Sequence, residues 1–141
     1  NLALAYSGMG ERDHAERLYE KMLDADPKSM DALRGLAALS IQANDYDTAL
    51  EFHVRLIDLG DRTPEVLYNA GLMYEKAGQL DKAVRLYRDA LAQQPEMPEA
   101  LLNLGRILEI GGKTEEARAC WSKALEAEPA LAQGYFGPAI D

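Results

Sequence analysis

Alanine recurs at Ala15, Ala49, Ala83 and Ala117, a step of 34 residues each time. Alanine is abundant in this chain, so the series carries weight only if unrelated columns keep the same step, and they do. Four residues on stand the rings of Tyr19, His53, Tyr87 and Trp121, and eight residues on the aliphatics Leu23, Ile57, Leu91 and Leu125. Twelve residues before each alanine the side chain is small (Ala3, Ala37, Gly71, Gly105), and five before it stands a turn former (Gly10, Asn44, Gly78, Gly112). Twelve after it come Pro27, Asp61, Pro95 and Pro129. One step shared by columns of different chemistry is the mark of a repeat architecture, in which each unit buries its apolar face against the next.

Each unit reads as two helices. In the third, the spacing predicts a helix from about Pro64 to Ala77, with Thr63 as its cap and proline in the first turn, where a missing N–H costs nothing. Gly78 supplies the turn. A second helix is predicted from about Asp81 to Gln94, with a carboxylate at its positive end and Pro95 as its stop. The fourth unit repeats the pattern over Pro98 to Ile110, Gly112, and Glu115 to Glu128 before Pro129. Val66, Leu67, Ala70, Met73 and Tyr74 form one apolar stripe, and Ala83, Val84, Tyr87, Ala90 and Leu91 another. Gly71 and Ala83 mark where the paired helices cross closely, and the rings at Tyr19, Tyr87 and Trp121 fill the space between one pair and the next.

These columns resemble the tetratricopeptide repeat family, whose 34-residue unit carries Trp-x2-Leu-Gly-x2-Tyr, then Ala-x3-Phe, then Ala and Pro. The third unit matches with Leu67, Ala70, Gly71, Tyr74, Ala83, Tyr87, Ala90 and Pro95. The fourth matches with Leu101, Leu104, Gly105, Leu108, Ala117, Trp121, Ala124 and Pro129. The resemblance covers residues 1 to 131. It implies an all-α, right-handed superhelical solenoid of about four helix–turn–helix repeats, with units at about 1–29, 30–63, 64–97 and 98–131. The second unit departs most, at Ser40, His53, Leu56 and Asp61, and is expected to pack more loosely. Residues 132–141 read as an irregular tail or a truncated fifth repeat, because Gly134, Gly137 and Pro138 spoil a helix there. Asn1-Leu2-Ala3 aligns with Asn69-Ala70-Gly71, so the chain opens partway through a helix and is expected to be a piece of a longer protein.

The resemblance also implies a binding face, since the first helix of each pair lines the inner surface of such a superhelix. The residues placed there are Arg34 from the second unit, then Glu65, Tyr68, Asn69 and Leu72 from the third. Glu99, Leu102, Asn103 and Arg106 follow from the fourth, with Glu75, Glu109 and Ile110 beside them. Apolar side chains on a predicted solvent face suggest a partner, although single exposed ones are ordinary. Asn1, Asn69 and Asn103 share a register, with Gly35 the gap. An amide row can pair with an extended peptide backbone, as in the repeats of O-GlcNAc transferases, or it can brace the neighbouring helix. The two-carboxylate clamp of chaperone-binding members is disfavoured: its slots hold Arg34, Ala38, Asn69, Glu99 and Asn103, and Glu99 would repel a carboxylate.

Composition narrows the rest. Hydrophobic residues make up 48% and charged ones 28%, a folded rather than a disordered balance. The net charge is −9, from 15 basic against 24 acidic side chains, which disfavours nucleic acid and anionic membrane; such acidity chiefly keeps a surface soluble, and any long-range steering it exerts favours a basic partner. No apolar run reaches the roughly 18 residues of a membrane span, and no secretory leader is visible, so a cytoplasmic location is expected. No phosphate or dinucleotide loop is present. His14, His53 and Cys120 lack metal spacing, and Cys120 excludes an internal disulfide. No enzyme, cofactor or metal is therefore expected. The expected role is a scaffold or adaptor that holds a peptide segment or partner protein in its groove. The alternative is a module that assembles into homo-oligomers through its open repeat ends.

Overall fold

The computed structural model describes residues 2–131, with side chains from Gly10 onward, so Asn1 and the expected tail at 132–141 lie outside the described residues. The described residues form seven α-helices and no strand. They are α1 (Leu2–Ala25), α2 (Met30–Gln42), α3 (Tyr46–Asp58), α4 (Pro64–Lys76), α5 (Leu80–Gln93), α6 (Pro98–Ile110) and α7 (Thr114–Ala127). Two compact units divide the chain, Asn1–Arg62 and Thr63–Asp141. In the first, α1 packs on α2 and α2 on α3. In the second, α4 pairs with α5, α5 meets α6, and α6 pairs with α7.

The hairpins turn where a left-handed residue stands. Asn44 (φ 60°), Gly78 (φ 82°) and Gly112 (φ 83°) each end the first helix of a pair. After α4, the Gln79 amide donates to the Tyr74 carbonyl (2.9 Å) and the Gly78 amide to the Glu75 carbonyl (3.0 Å). The same two bonds close α2 at Asp45 and Asn44 and α6 at Lys113 and Gly112, so the last carbonyls of each helix are satisfied. Thr63 occupies the N-cap of α4 with extended dihedrals, yet its side chain makes no capping bond. Pro64 follows it in the first turn, where no N–H needs a partner.

Packing explains the small-residue column. A Cβ on Gly71 would lie 2.9 Å from the Tyr87 ring and 3.3 Å from the Ala83 carbonyl oxygen, so α4 and α5 touch through backbone there. A Cβ on Gly105 would lie 2.5 Å from Trp121 Nε1. Tyr87 is fully buried. In the first unit the Tyr19 ring occupies the space that a Gly35 side chain would need, so the gap in the asparagine column is a packing requirement.

Two expectations are corrected in the first unit. Gly10 does not turn the chain: α1 runs through it as one helix of 24 residues. Glycine permits a left-handed turn without enforcing one, and the continuous helix keeps its i→i−4 bonds at a cost of about 1 kcal/mol for a mid-helix glycine. The departures of the second repeat are packed, not loose. Leu56 and His53 are buried, and His53 Nδ1 donates to the Ala49 carbonyl (2.7 Å). The Ser40 hydroxyl donates to the Leu36 carbonyl (2.9 Å). Asp61, with its side chain 1% exposed, accepts from Arg34 Nε (2.7 Å) and Nη2 (2.7 Å).

Two measurements test this account. Gly71→Val should cost about 1–3 kcal/mol through overpacking against Tyr87 and the Ala83 carbonyl, read as a lowered thermal midpoint by circular dichroism; an unchanged midpoint would mean that α4 can shift away freely. Burial pushes the His53 imidazole below its usual 6.5, against the opposing pull of the Ala49 carbonyl and Asp61. The unfolded chain therefore takes the proton first, and stability is lost as pH falls from 6.5 towards the folded value. Between about pH 7.5 and 5.5 the parent should lose more stability than His53→Phe does.

Candidate functional site

Helices α4 and α6 present matching slots one repeat apart: Glu65 and Glu99, Tyr68 and Leu102, Asn69 and Asn103, Leu72 and Arg106, Glu75 and Glu109. The register follows from the apolar stripe. Val66, Leu67, Ala70 and Met73 face inward on α4, and Ala100, Leu101, Leu104, Ile107 and Leu108 on α6, which turns the intervening residues to the other side.

Several of these residues are joined to one another. The Tyr87 hydroxyl donates to Glu75 Oε1 (2.8 Å). Arg106 donates to Glu75 Oε2 through Nη1 (2.7 Å), and its Nη2 stands 2.6 Å from the same oxygen. Arg106 Nη2 also donates to Asn103 Oδ1 (3.1 Å). Asn103 Nδ2 in turn donates to the Tyr68 hydroxyl (3.1 Å) and, at 3.5 Å, to that of Tyr87. The Tyr68 and Tyr87 rings lie with centroids 5.7 Å apart. Three helices, α4, α5 and α6, are thus tied by one connected set of polar bonds. The Glu75 side chain is 15% exposed and that of Arg106 47%, so the ion pair is partly withdrawn from water and gains strength accordingly.

The electrostatics follow from this arrangement. Burial raises the Tyr87 phenol far above its usual 10.0, and the Glu75 carboxylate that accepts its proton raises it further. Tyr68 is also raised, first by burial and then by Glu99 and Glu75, with the Asn103 bond opposing. Both hydroxyls stay protonated and serve as fixed donors and acceptors. Burial likewise raises the Cys120 thiol, which disfavours the thiolate that nucleophilic chemistry needs. Among the described residues no cluster of three or more His, Cys, Asp or Glu could hold a metal ion, and no helix is long and apolar enough to cross a membrane.

The residues expected at the binding face therefore divide. Tyr68, Asn103 and Arg106 are brought together, but their polar atoms bond inside the second unit. Glu65 and Glu99 are exposed, and Asn69, Leu72 and Leu102 are half-buried on the same α4 and α6 helices. Ile110, at the end of α6, is 72% exposed. Arg34 belongs to the first unit, where it holds Asp61 and lies 3.8 Å from Asp31. The Glu75–Arg106 pair was not foreseen, although the sequence held its signal. Residues 31 apart in a 34-residue repeat fall one helical turn short of the same slot on neighbouring helices. The Arg34–Asp61 pair also left a trace: the second repeat replaces two columns together, at the slots of Tyr68 and Leu102 and of Pro95 and Pro129.

Removing one partner from the shared carboxylate gives a direct check. Arg106→Met should cost about 1–2 kcal/mol, because Glu75 then keeps a half-withdrawn charge with a single donor. Glu75→Gln combined with Arg106→Met should cost less than the two single changes added together, by chemical denaturation. Strict additivity would show that the pair does not act as a unit.

The comparisons with known proteins agree with this fold. Solved structures of MamA are similar to the chain. One titled MamA MSR-1 has 24% identity and a TM-score of 0.73, covering 93% of this chain and 75% of that one. One titled MamA 41-end from Desulfovibrio magneticus RS-1 has 21% identity and a TM-score of 0.74, covering 90% and 72%. A further crystal structure of MamA has 23% identity and a TM-score of 0.61, covering 94% and 98%. At these identities the likeness is one of fold. No curated protein matches the chain. Two sequence models, each described as a tetratricopeptide repeat, match residues 7–67 and 68–132. The chain belongs to the tetratricopeptide repeat family.

Proposed function

We propose that the α4–α6 face of the second unit binds an extended, basic segment of a partner protein. The chain is a repeat module of a kind that serves protein interaction, and the finer reading rests on one observation. On this face the polar atoms of Tyr68, Asn103 and Arg106 are taken up by the Glu75 network, and what stays open is a set of carboxylates around half-buried aliphatics. Glu65, Glu99 and Glu109 are exposed, while the charge of Arg106 is taken by Glu75. Lys76 and Arg106 are the two basic residues in the sequences of α4 and α6. Leu72, Leu102 and Ile110 supply apolar contact. Asn69, half-buried with an amide that can both donate and accept, is suited to pair with a peptide main chain. Asn103 has its amide engaged and serves to hold α6 against Tyr68. The site is thus a rigid acidic platform, and rigidity lowers the ordering cost of binding.

The test is selection of linear peptides from a random library against the full chain, followed by titration of the selected peptides. Lys- or Arg-bearing peptides with an aliphatic residue should be enriched. Their affinity should fall as salt rises, because exposed charges are screened. Leu72→Glu with Leu102→Glu should weaken binding at least tenfold, a loss of about 1.4 kcal/mol, in a variant whose circular dichroism is unchanged. Enrichment of acidic peptides, or equal binding by the variant, would overturn the proposal.

A further inference from the structure

The first unit holds a groove that two departures from the repeat pattern keep open. Helices α1 and α3 form its walls and α2 its floor, and its volume is about 460 Å³. From α1 it takes one stripe at helical spacing, Arg12, Glu16, Glu20 and Leu23, which runs roughly 16 Å, or three turns. The bottom is apolar: Leu36 is buried, and Leu39 of α2 and Phe52 of α3 are half-buried beside it. The slots of Arg12 and Glu16 recur in the next two repeats as Tyr46 and Leu50, then as Leu80 and Val84. Two charged side chains thus stand where those repeats have apolar ones. Both are exposed, because an unpaired charge loses more on leaving water than an apolar floor returns. They withhold the cover that aliphatic side chains would give Leu39 and Phe52.

The rim is acidic. Four carboxylates and two guanidinium groups line the groove, a surplus of two negative charges. Glu16 and Glu20 stand on one wall and Glu51 on the other, all exposed, and among the described residues no ion pair engages them. Asp45 is taken up as the cap of α3, accepting from the Thr48 amide (3.3 Å). Arg55 lies over the Phe52 ring, 6.0 Å from its centroid.

We propose that this groove seats an amphipathic helix of a partner protein, with aliphatic residues at i and i+4 on its inner stripe and lysine or arginine flanking them. The aliphatics supply from outside the apolar volume that Arg12 and Glu16 withhold, and the cations meet Glu16, Glu20 and Glu51. A groove between two helices receives a third by packing its ridge of side chains between them, and a three-turn length suits such a stripe. The groove lies wholly within the first unit. It is independent of the peptide platform on α4 and α6, and either can fail without the other.

The probe is a synthetic amphipathic peptide of about four helical turns (~15 residues), with leucine at i, i+4 and i+7 and lysine on either side of that stripe. It is titrated against the full chain by calorimetry and circular dichroism. Binding should weaken as salt rises, and the mixture should show more helix than its two components apart. Arg12→Tyr with Glu16→Leu gives the first repeat the residues of the second, and it leaves the net charge unchanged because one cation and one anion are lost together. With the groove filled from within, this variant should bind the probe at least tenfold more weakly while keeping its own helical spectrum. A second probe of the same charge, with glutamine in place of leucine, should also bind at least tenfold more weakly. Unchanged affinity in the filled variant would overturn the proposal by placing the peptide elsewhere. So would equal binding of the glutamine probe, binding without a gain in helix, or no binding of the leucine probe at all.

Discussion

Two positions without a side chain, Gly71 and Gly105, set the geometry on which the second unit depends. Each lets a helix backbone lie against a ring on its partner, Tyr87 in one hairpin and Trp121 in the other. A methyl group at either point would intrude on that ring, so the helix would have to move and the ring with it. The ring position matters because Tyr87 is more than filling. Its buried body fixes where its hydroxyl sits, and that hydroxyl donates to Glu75. The close approach at Gly71 and the placement of the acidic network are therefore one constraint seen at two ends of the same tyrosine.

That network decides which face residues are free to meet a partner. Arg106, taken alone, is a cation on an acidic surface and would invite a carboxylate. Held on Glu75 at 2.6–2.7 Å, it contributes no net charge with its partner and brings α6 to α4. Asn103 is a similar case, since both ends of its amide are occupied by Arg106 and the tyrosine hydroxyls. Two residues that resemble ligand contacts by slot are thereby turned into braces. The open chemistry that remains, carboxylate and aliphatic, is narrower than the list of face residues suggests.

The sequence was most readable where one residue type has one physical use. A 34-residue step in small residues, rings and turn formers can be satisfied only by repeated close-packed hairpins, and Gly78 and Gly112 adopt the left-handed turns their column implies. It was least readable where a residue permits without compelling. Gly10 sits in the same column and stays helical, because a glycine permits a left-handed turn without compelling one. The polar pairs were hidden for another reason. Slot spacing shows that Glu75 and Arg106 can meet, but whether Arg106 turns inward to Glu75 or outward to a ligand depends on the balance of desolvation and bonding at that point. The buried Asp61 follows the same logic: a proline column gives way to a carboxylate only because Arg34 arrives opposite it.

A repeat protein makes this division between column and exception unusually clear, because every unit is a control for the others. The invariant columns describe what each hairpin must do to pack, and they say little about a partner. The exceptions are where one unit differs from its neighbours: Arg34 where others have Tyr68 and Leu102, Gly35 where others have asparagine, and Arg106 where the third repeat has Leu72. Each exception is explained by a local contact or by a partner outside the unit. Arg34 is explained by Asp61, Gly35 by Tyr19 and Arg106 by Glu75.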